Sequence, residues 1–217
     1  MASDSKEQQD AAQSDLQLAR ELIAGSIGAF EHFVDVYGRK IFRYSYTMCG
    51  HREDAEEIAQ ETLMKVFENL GQLREPEHMK AWVFRIAKNA CFSKHRKSVF
   101  APTRELSLEE LRPHRDNESG ELDIADWSAW PDAAAQNSEL HQALDRAVQK
   151  LPELYRSIFL LRDVEGLSTA DCAKILDVSE DVVKTRLHRA RLMMRADLDA
   201  FMKASHTNSG HTKGVQA

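Results

Sequence analysis

Apolar residues recur at intervals of three and four along most of the chain, the spacing of helices that bury one face. The segments "DLQLARELIAGS", "AFEHFVDVYGRKIFRYSYTM", "EDAEEIAQETLMKVFENL", "MKAWVFRIAKNACFSKHRK", "SELHQALDRAVQKL", "PELYRSIFLLRDV", "STADCAKIL" and "SEDVVKTRLHRARLMMRADLDAFM" all carry it. None alternates with the period of two that a half-buried strand needs, so an all-α chain is predicted. In the second segment Phe30, Phe33, Val34, Tyr37, Ile41 and Phe42 share one broad apolar face, and in the third Ala59, Leu63, Val66, Phe67 and Leu70 do the same. Both stripes are expected to be core. Between 99 and 137 the periodicity fails while prolines, Gly120 and acidic residues accumulate. That stretch reads as a flexible acidic linker. It divides the chain into two small helical domains, 14–98 and 138–203, with 204–217 as a frayed tail.

The C-terminal domain carries the sharpest local signal, "LSTADCAKILDVSEDVVKTRLHRARLMM". Ser168 with Asp171 three residues on forms a capping box that starts a short helix, and small Ala173 lets a second helix cross it closely. The turn Asp177, Val178, Ser179 follows, and Ser179 can cap a longer helix, which is helix-turn-helix spacing. On that helix Val183, Leu187, Ala190 and Met194 form the stripe that faces its neighbour. Lys184, Thr185, His188, Arg191 and Arg195 fall outside it, where a recognition helix would meet the major groove. Glu180 and Asp181 suit the positive end of the helix dipole but repel phosphate.

Charge sharpens the picture. The net charge of -6 hides a segregation: residues 1–79 hold 15 acids against 8 bases, 80–104 hold 7 bases and no acid, and 105–139 hold 10 acids against 2 bases. From Val182 to Ala196 there are 5 Lys/Arg and no carboxylate. Two basic patches on an acidic background are expected to meet a polyanion. The first, "KAWVFRIAKNACFSKHRK", spaces Trp82, Val83, Ile86 and Ala90 for burial and leaves Arg85, Lys88, Asn89, Lys94, His95, Arg96 and Lys97 available. Two such surfaces on one tethered chain suggest two DNA elements at a set spacing.

Other classes find little support. No apolar run approaches the ~18 residues of a membrane span, and the N-terminus is polar and acidic, so a cytoplasmic protein without membrane insertion is expected. Cys49, Cys91 and Cys172 are odd in number and never in a CxxC pair, which indicates reduced, structural thiols. The histidines show no metal spacing and no Gly-rich phosphate loop appears, so neither metal, cofactor nor enzymatic activity is expected. The competing reading is a free-standing helix-turn-helix regulator with residues 1–98 as a sensor or dimerisation domain.

The residues also carry a resemblance. "AFEHFVDVYGRKIFRYSYTMCGHREDAEEIAQETLMKVFENL", "KAWVFRIAKNACFSKHRK" and "LPELYRSIFLLRDVEGLSTADCAKILDVSEDVVKTRLHRAR" resemble, in order and separation, the conserved blocks of bacterial RNA polymerase sigma factors of the extracytoplasmic function group of the sigma-70 family. The resemblance implies a sigma2-like bundle and a sigma4-like helix-turn-helix domain. It implies a non-enzymatic subunit that binds the largest and second-largest subunits of core RNA polymerase, recognises the -35 and -10 elements of promoter DNA, and initiates transcription of a stress-response or otherwise specialised regulon. An anti-sigma factor is an expected partner, and no obligate homo-oligomer is. By the same resemblance Glu57, Gln60 and Glu61 contact the polymerase. The loop Asn69 to His78 and the residues Arg85, Lys88, Asn89, Lys94, Arg96 and Lys97 meet the -10 element. Ser179, Lys184, Thr185, Arg186, His188, Arg189 and Arg191 meet the -35 element. The family's turn glycine is replaced by Asp177, a residue that tolerates the left-handed conformation better than most.

Overall fold

The computed structural model describes residues 2–98 and 138–209, with side chains placed for 12–94 and 142–199. The linker, with Trp127 and Trp130, and residues 210–217 lie outside the described residues. Helices α1 (Ala2–Ile23), α2 (Ala29–Cys49), α3 (Arg52–Glu68) and α4 (Met79–Ser98) precede the linker. Helices α5 (Ser138–Lys150), α6 (Glu153–Phe159), α7 (Thr169–Leu176) and α8 (Glu180–Ser209) follow it. No strand occurs among the described residues. Helix α1 starts well before the expected Asp15, and α8 runs on into the segment expected to be tail.

Each helix forms because its apolar spacing gives it something to bury. On α2 the fully enclosed Phe33, Tyr37, Ile41, Tyr44 and Met48 are three or four residues apart. Phe33 and Tyr37 stack at 4.9 Å, and Tyr44 meets Phe84 of α4 edge-on at 5.5 Å. Burial of each such side chain stabilises the bundle by about 1.5–3 kcal/mol. Glycines in the left-handed region stand at both ends of α2, Gly28 (φ 80°) and Gly50 (φ 76°), and the Gly50 N–H donates to the Tyr46 carbonyl at 2.8 Å. Leu18, Ala19 and Leu22 of α1, Ala55, Ile58 and Val66 of α3, and Val83, Phe84, Ala87 and Cys91 of α4 complete this core.

One expected core residue is not in it. Phe67 is 61% exposed and meets the Phe30 ring edge-on, with ring centroids 4.9 Å apart. Val66 takes the inward position, and the next residue lies about 100° further round the axis, on the solvent side. Trp82 also differs: it is half-buried, with its outer part in a cleft described below.

In the C-terminal group α6 ends in a widened turn, Leu160–Val164, with the hydrogen-bond step of a π-helix. The Glu165 N–H reaches back to the Leu160 carbonyl at 2.8 Å. Leu160 and Leu161 are buried within it.

The two groups are not separated by their tether. Helix α2 packs against α5 and α6, α4 packs against α7, and the buried apolar side chains form one continuous cluster across both. Polar contacts close this seam. Arg156 of α6 donates to the carbonyls of Thr47 and Met48 at 3.3 and 3.0 Å, satisfying the C-terminal end of α2. Arg43 of α2 and Lys80 of α4 approach the Glu165 carboxylate at 3.6 and 4.0 Å. Glu165 is only 5% exposed, and burial pushes its carboxyl above the usual carboxylate range against the pull of these cations.

The cysteines form no disulfide. The buried Cys91 shares a thiol hydrogen bond with Cys49, distant in sequence, and this bond together with burial pushes its thiol well up.

Candidate polymerase and nucleic-acid interfaces

Three surfaces carry the residues that the sequence singles out. On α3, Glu57, Gln60 and Glu61 are all exposed and share a face through the three- and four-residue spacing. Glu61 is tied to Lys65 one turn on. The same face continues into Met64, 63% exposed, and Phe67, which with Phe30, Leu63 and Glu68 line a shallow apolar groove of about 280 Å³. Carboxylates at one end and unprotected apolar surface at the other make a face suited to another protein. The groove was missed because Leu63 and Phe67 fit the core periodicity of α3; the extra apolar residue Met64, beyond that stripe, was the available signal.

The second surface begins at the connector between α3 and α4, which is a folded loop. Short 3-10 turns at Leu70–Gln72 and Pro76–His78 are pinned by the Asn69 amide donating to the Lys65 carbonyl (2.8 Å) and the Gln72 amide donating to Asn69 Oδ1 (2.7 Å). Leu73 and Met79 are buried beneath it. Beside the loop, α4 presents exposed Arg85 and Asn89. Lys88 lies 5.0 Å above the Phe92 ring and 3.4 Å from Asn89 Oδ1. Lys94 is turned toward α3: its ammonium is 2.8 Å from Asp54 and 2.6 Å from Glu57, and these hydrogen bonds, Asp54 first, raise its pKa. The structure thereby joins a residue expected at DNA to one expected at the polymerase. Arg96 and Lys97 lie outside the residues whose side chains are described.

Loop and helix line a cleft of about 310 Å³ through Gln72, Leu73, Arg74, Glu75, His78, Ala81, Trp82 and Arg85. Its remaining wall comes from α7: Asp171, Lys174 and Ile175. His78 bridges the walls, with Nε2 3.4 Å from Glu75 and Nδ1 3.7 Å from Asp171.

The third surface is the helix-turn-helix. The Asp171 N–H donates to Ser168 Oγ at 3.0 Å, and the Ser168 hydroxyl donates to Asp171 Oδ2 at 2.6 Å, so the capping pair closes. Helix α7 ends at Asp177 with φ 55°, the left-handed conformation expected for it. Ser179 Oγ accepts from the Val182 N–H at 3.3 Å and starts α8. Val183, Leu187, Ala190 and Met194 are the buried stripe, as their spacing predicts. Lys184 and Thr185 are exposed, held at the first turn by contacts to Asp181: Nζ to Oδ1 at 3.2 Å, and Thr185 Oγ1 to the main-chain carbonyl at 2.8 Å. Arg186, His188 and Arg189 are half-buried. Arg191 forks onto Asp163 with Nε and Nη2 at 2.9 and 2.7 Å, committing its guanidinium inside the domain. Among the described residues no cluster of His, Cys, Asp and Glu could hold a metal, and no helix is long and apolar enough to cross a membrane.

Comparison with known proteins gives this architecture its class. Residues 33–99 match the family described as sigma-70 region 2, and residues 141–194 match sigma-70 region 4. The chain is 30% identical over 179 residues to the ECF RNA polymerase sigma factor SigW of Bacillus subtilis, covering 82% of this chain and 94% of that one. It is 29% identical over 178 residues to the ECF RNA polymerase sigma factor SigM of Mycobacterium tuberculosis, covering 82% and 81%. In fold it resembles CnrH, solved in complex with the cytosolic domain of CnrY (TM-score 0.57, 22% identity, 86% of this chain and 97% of that one). It also resembles the sigma factor RpoE of Bartonella quintana, solved with the anti-sigma factor NepR (TM-score 0.55, 21% identity, 80% and 98%). The bundle before the linker and the helix-turn-helix after it are thus the promoter-recognition regions of a transcription initiation factor. The chain belongs to the extracytoplasmic function (ECF) group of sigma factors in the sigma-70 family, which bind core RNA polymerase and direct initiation at promoters.

Proposed function

We propose that the three surfaces divide the work of initiation among themselves, on domains spanning 14–98 and 138–203. Glu57, Gln60 and Glu61 dock the polymerase, and the apolar face of Met64 and Phe67 extends that contact. The loop from Asn69 to His78, with Arg85, Lys88 and Asn89, receives the -10 strand; Lys94 joins them when released from Glu57, and Arg96 and Lys97 continue the basic patch. Extruding a base costs a few kcal/mol, which the cleft beside Trp82 and Arg85 offsets by stacking and charge. Helix α8 reads the -35 element with Lys184, Thr185, Arg186, His188 and Arg189 after the Ser179 cap, while Arg191 serves the domain's own structure.

The reading is supported most by one observation: an acidic face that runs into exposed apolar surface on α3, and a cleft lined by Arg74, Trp82 and Arg85 on the loop and α4, occupy adjacent elements, while the first turn of α8 exposes Lys184 and Thr185. The protein acts by binding, leaves the chemistry to polymerase, and works in the cytoplasm. Because CnrH and RpoE were each solved with a protein partner, we also propose an anti-sigma factor for this chain. In-vitro transcription with purified core polymerase on genomic fragments tests the function. Discrete start sites that depend on this chain are expected, and silence with an active core would overturn it.

A further inference from the structure

Two of the three cysteines meet, although the whole of α3 and the 69–78 loop lie between them in the chain. Cys49 is the last residue of α2, Cys91 belongs to α4, and their thiols share a hydrogen bond across the interface of the two helices. They differ in access: Cys49 is half-buried, and Cys91 has no exposed surface. They differ in charge as well. The bond to Cys49 first, and burial next, push the Cys91 thiol well up, so Cys91 keeps its proton and donates it to Cys49 Sγ. The C-terminal end of a helix is a poor place for a thiolate, but α2 ends under the guanidinium of Arg156. That group donates to the carbonyls of Thr47 and Met48 at 3.3 and 3.0 Å and interacts electrostatically with Cys49, an arrangement that favours a negative sulfur. None of the three surfaces described above uses this pair. A reachable sulfur beside a cation, with a second thiol in contact behind it, is the setting in which cysteines react with oxidants and are then resolved.

We propose that Cys49 and Cys91 form a modification site for hydroperoxides, in which Cys49 is oxidised and Cys91 resolves it to a disulfide that staples α2 to α4. In the first step Cys49 Sγ attacks one peroxide oxygen and the O–O bond breaks. Sulfur gives up two electrons and becomes a sulfenic acid, while the other oxygen leaves with the thiol proton as water or an alcohol. The sulfenic acid is neutral, so the neighbour that held the proton on Cys91 no longer does. Cys91 Sγ then attacks Cys49 Sγ, the S–O bond breaks, and the hydroxyl leaves with the Cys91 proton as water. Two thiols and one hydroperoxide thus give one disulfide, one water and one further water or alcohol. The bridge closes α3 and the 69–78 loop into a single covalent ring, so it constrains the helix that bears Glu57, Gln60 and Glu61 together with the loop beside it. Cellular thiols would reopen it, which makes the modification a transient one.

The test uses the reduced full-length chain, treated under native conditions with excess hydrogen peroxide, quenched, unfolded in iodoacetamide and mapped by mass spectrometry without reduction. One linked peptide joining Cys49 to Cys91 is expected, with Cys172 left as the alkylated thiol, and dithiothreitol should return all three thiols. In Cys91→Ala the reaction should stop at a sulfenic acid on Cys49 that dimedone labels, and in Cys49→Ala the buried Cys91 should stay unmodified at the same dose. The oxidised parent should melt roughly 5–10 °C higher than the reduced one, a gain that dithiothreitol removes and neither variant shows. Three alkylatable thiols after a dose that oxidises Cys49 in the unfolded chain would overturn the proposal. So would sulfinic acid on Cys49 beside an unbridged Cys91, or a link found only between two copies of the chain. An intramolecular bridge that lowered Tm would overturn the staple and leave the modification site standing.

Discussion

Arg191→Ala separates a structural arginine from a DNA-reading one. The fork onto Asp163 comprises two charge-assisted hydrogen bonds, 2.9 and 2.7 Å, and the Asp163 side chain is only 6% exposed, so truncation strands a nearly buried carboxylate. Breaking a buried pair costs about 3–5 kcal/mol. Arg191 keeps 32% of its side chain in water, which screens the pair and brings the expectation to about 2–3 kcal/mol. For a chain of this size that lowers Tm by roughly 5–10 °C. Thermal unfolding followed by helical circular dichroism measures it. Replacing both partners, as Asp163→Leu with Arg191→Met, should recover most of the loss, because two apolar side chains leave no unpaired charge. Salt dependence of duplex binding decides the other half: a structural arginine leaves the slope unchanged in the stable double variant. A Tm within about 1 °C of the parent for Arg191→Ala, together with a slope reduced by about one phosphate contact, would refute the reasoning.

Three further outcomes follow from particular residues. Asp177→Gly should raise stability by about 0.5–1 kcal/mol, seen as a rise in Tm, since φ 55° strains any residue with a Cβ. Phe67→Ser and Met64→Ser should leave Tm nearly unchanged, because both side chains are more than 60% exposed, yet weaken core polymerase affinity roughly tenfold in a titration with labelled core. Alkylation by iodoacetamide at pH 8, read by mass spectrometry, should modify Cys49 first. Cys91 and Cys172 are fully buried, Cys172 with its thiol pushed up to about 12 chiefly by burial, and both should resist until the chain unfolds.

The helical make-up and the helix-turn-helix were legible in the sequence because each depends on residues close together along it. The Ser168 and Asp171 capping pair, the left-handed Asp177 and the buried stripe from Val183 to Met194 are all local consequences of spacing. What was hidden depends on residues brought together from afar. Asp163 and Arg191 meet across 28 positions, and Lys94 and Glu57 across 37, so no window of periodicity contains either pair. Glu165, in "RDVEGLS", looks like an ordinary polar turn residue; its burial arises only when the two domains pack. Phe67 misled because an apolar residue at helical spacing carries no mark of whether its face meets the core or a partner.

The widened turn at Leu160–Val164 makes chain length, and not only side-chain chemistry, a condition of the fold. The turn already holds one residue more than an ordinary helical turn, so the insertion of another there would swing everything after it by about 100°. Glu165 would then point away from Arg43 and Lys80, and Asp163 away from Arg191, although every one of those residues was still present. In this stretch an extra alanine-sized step would do more harm than most replacements.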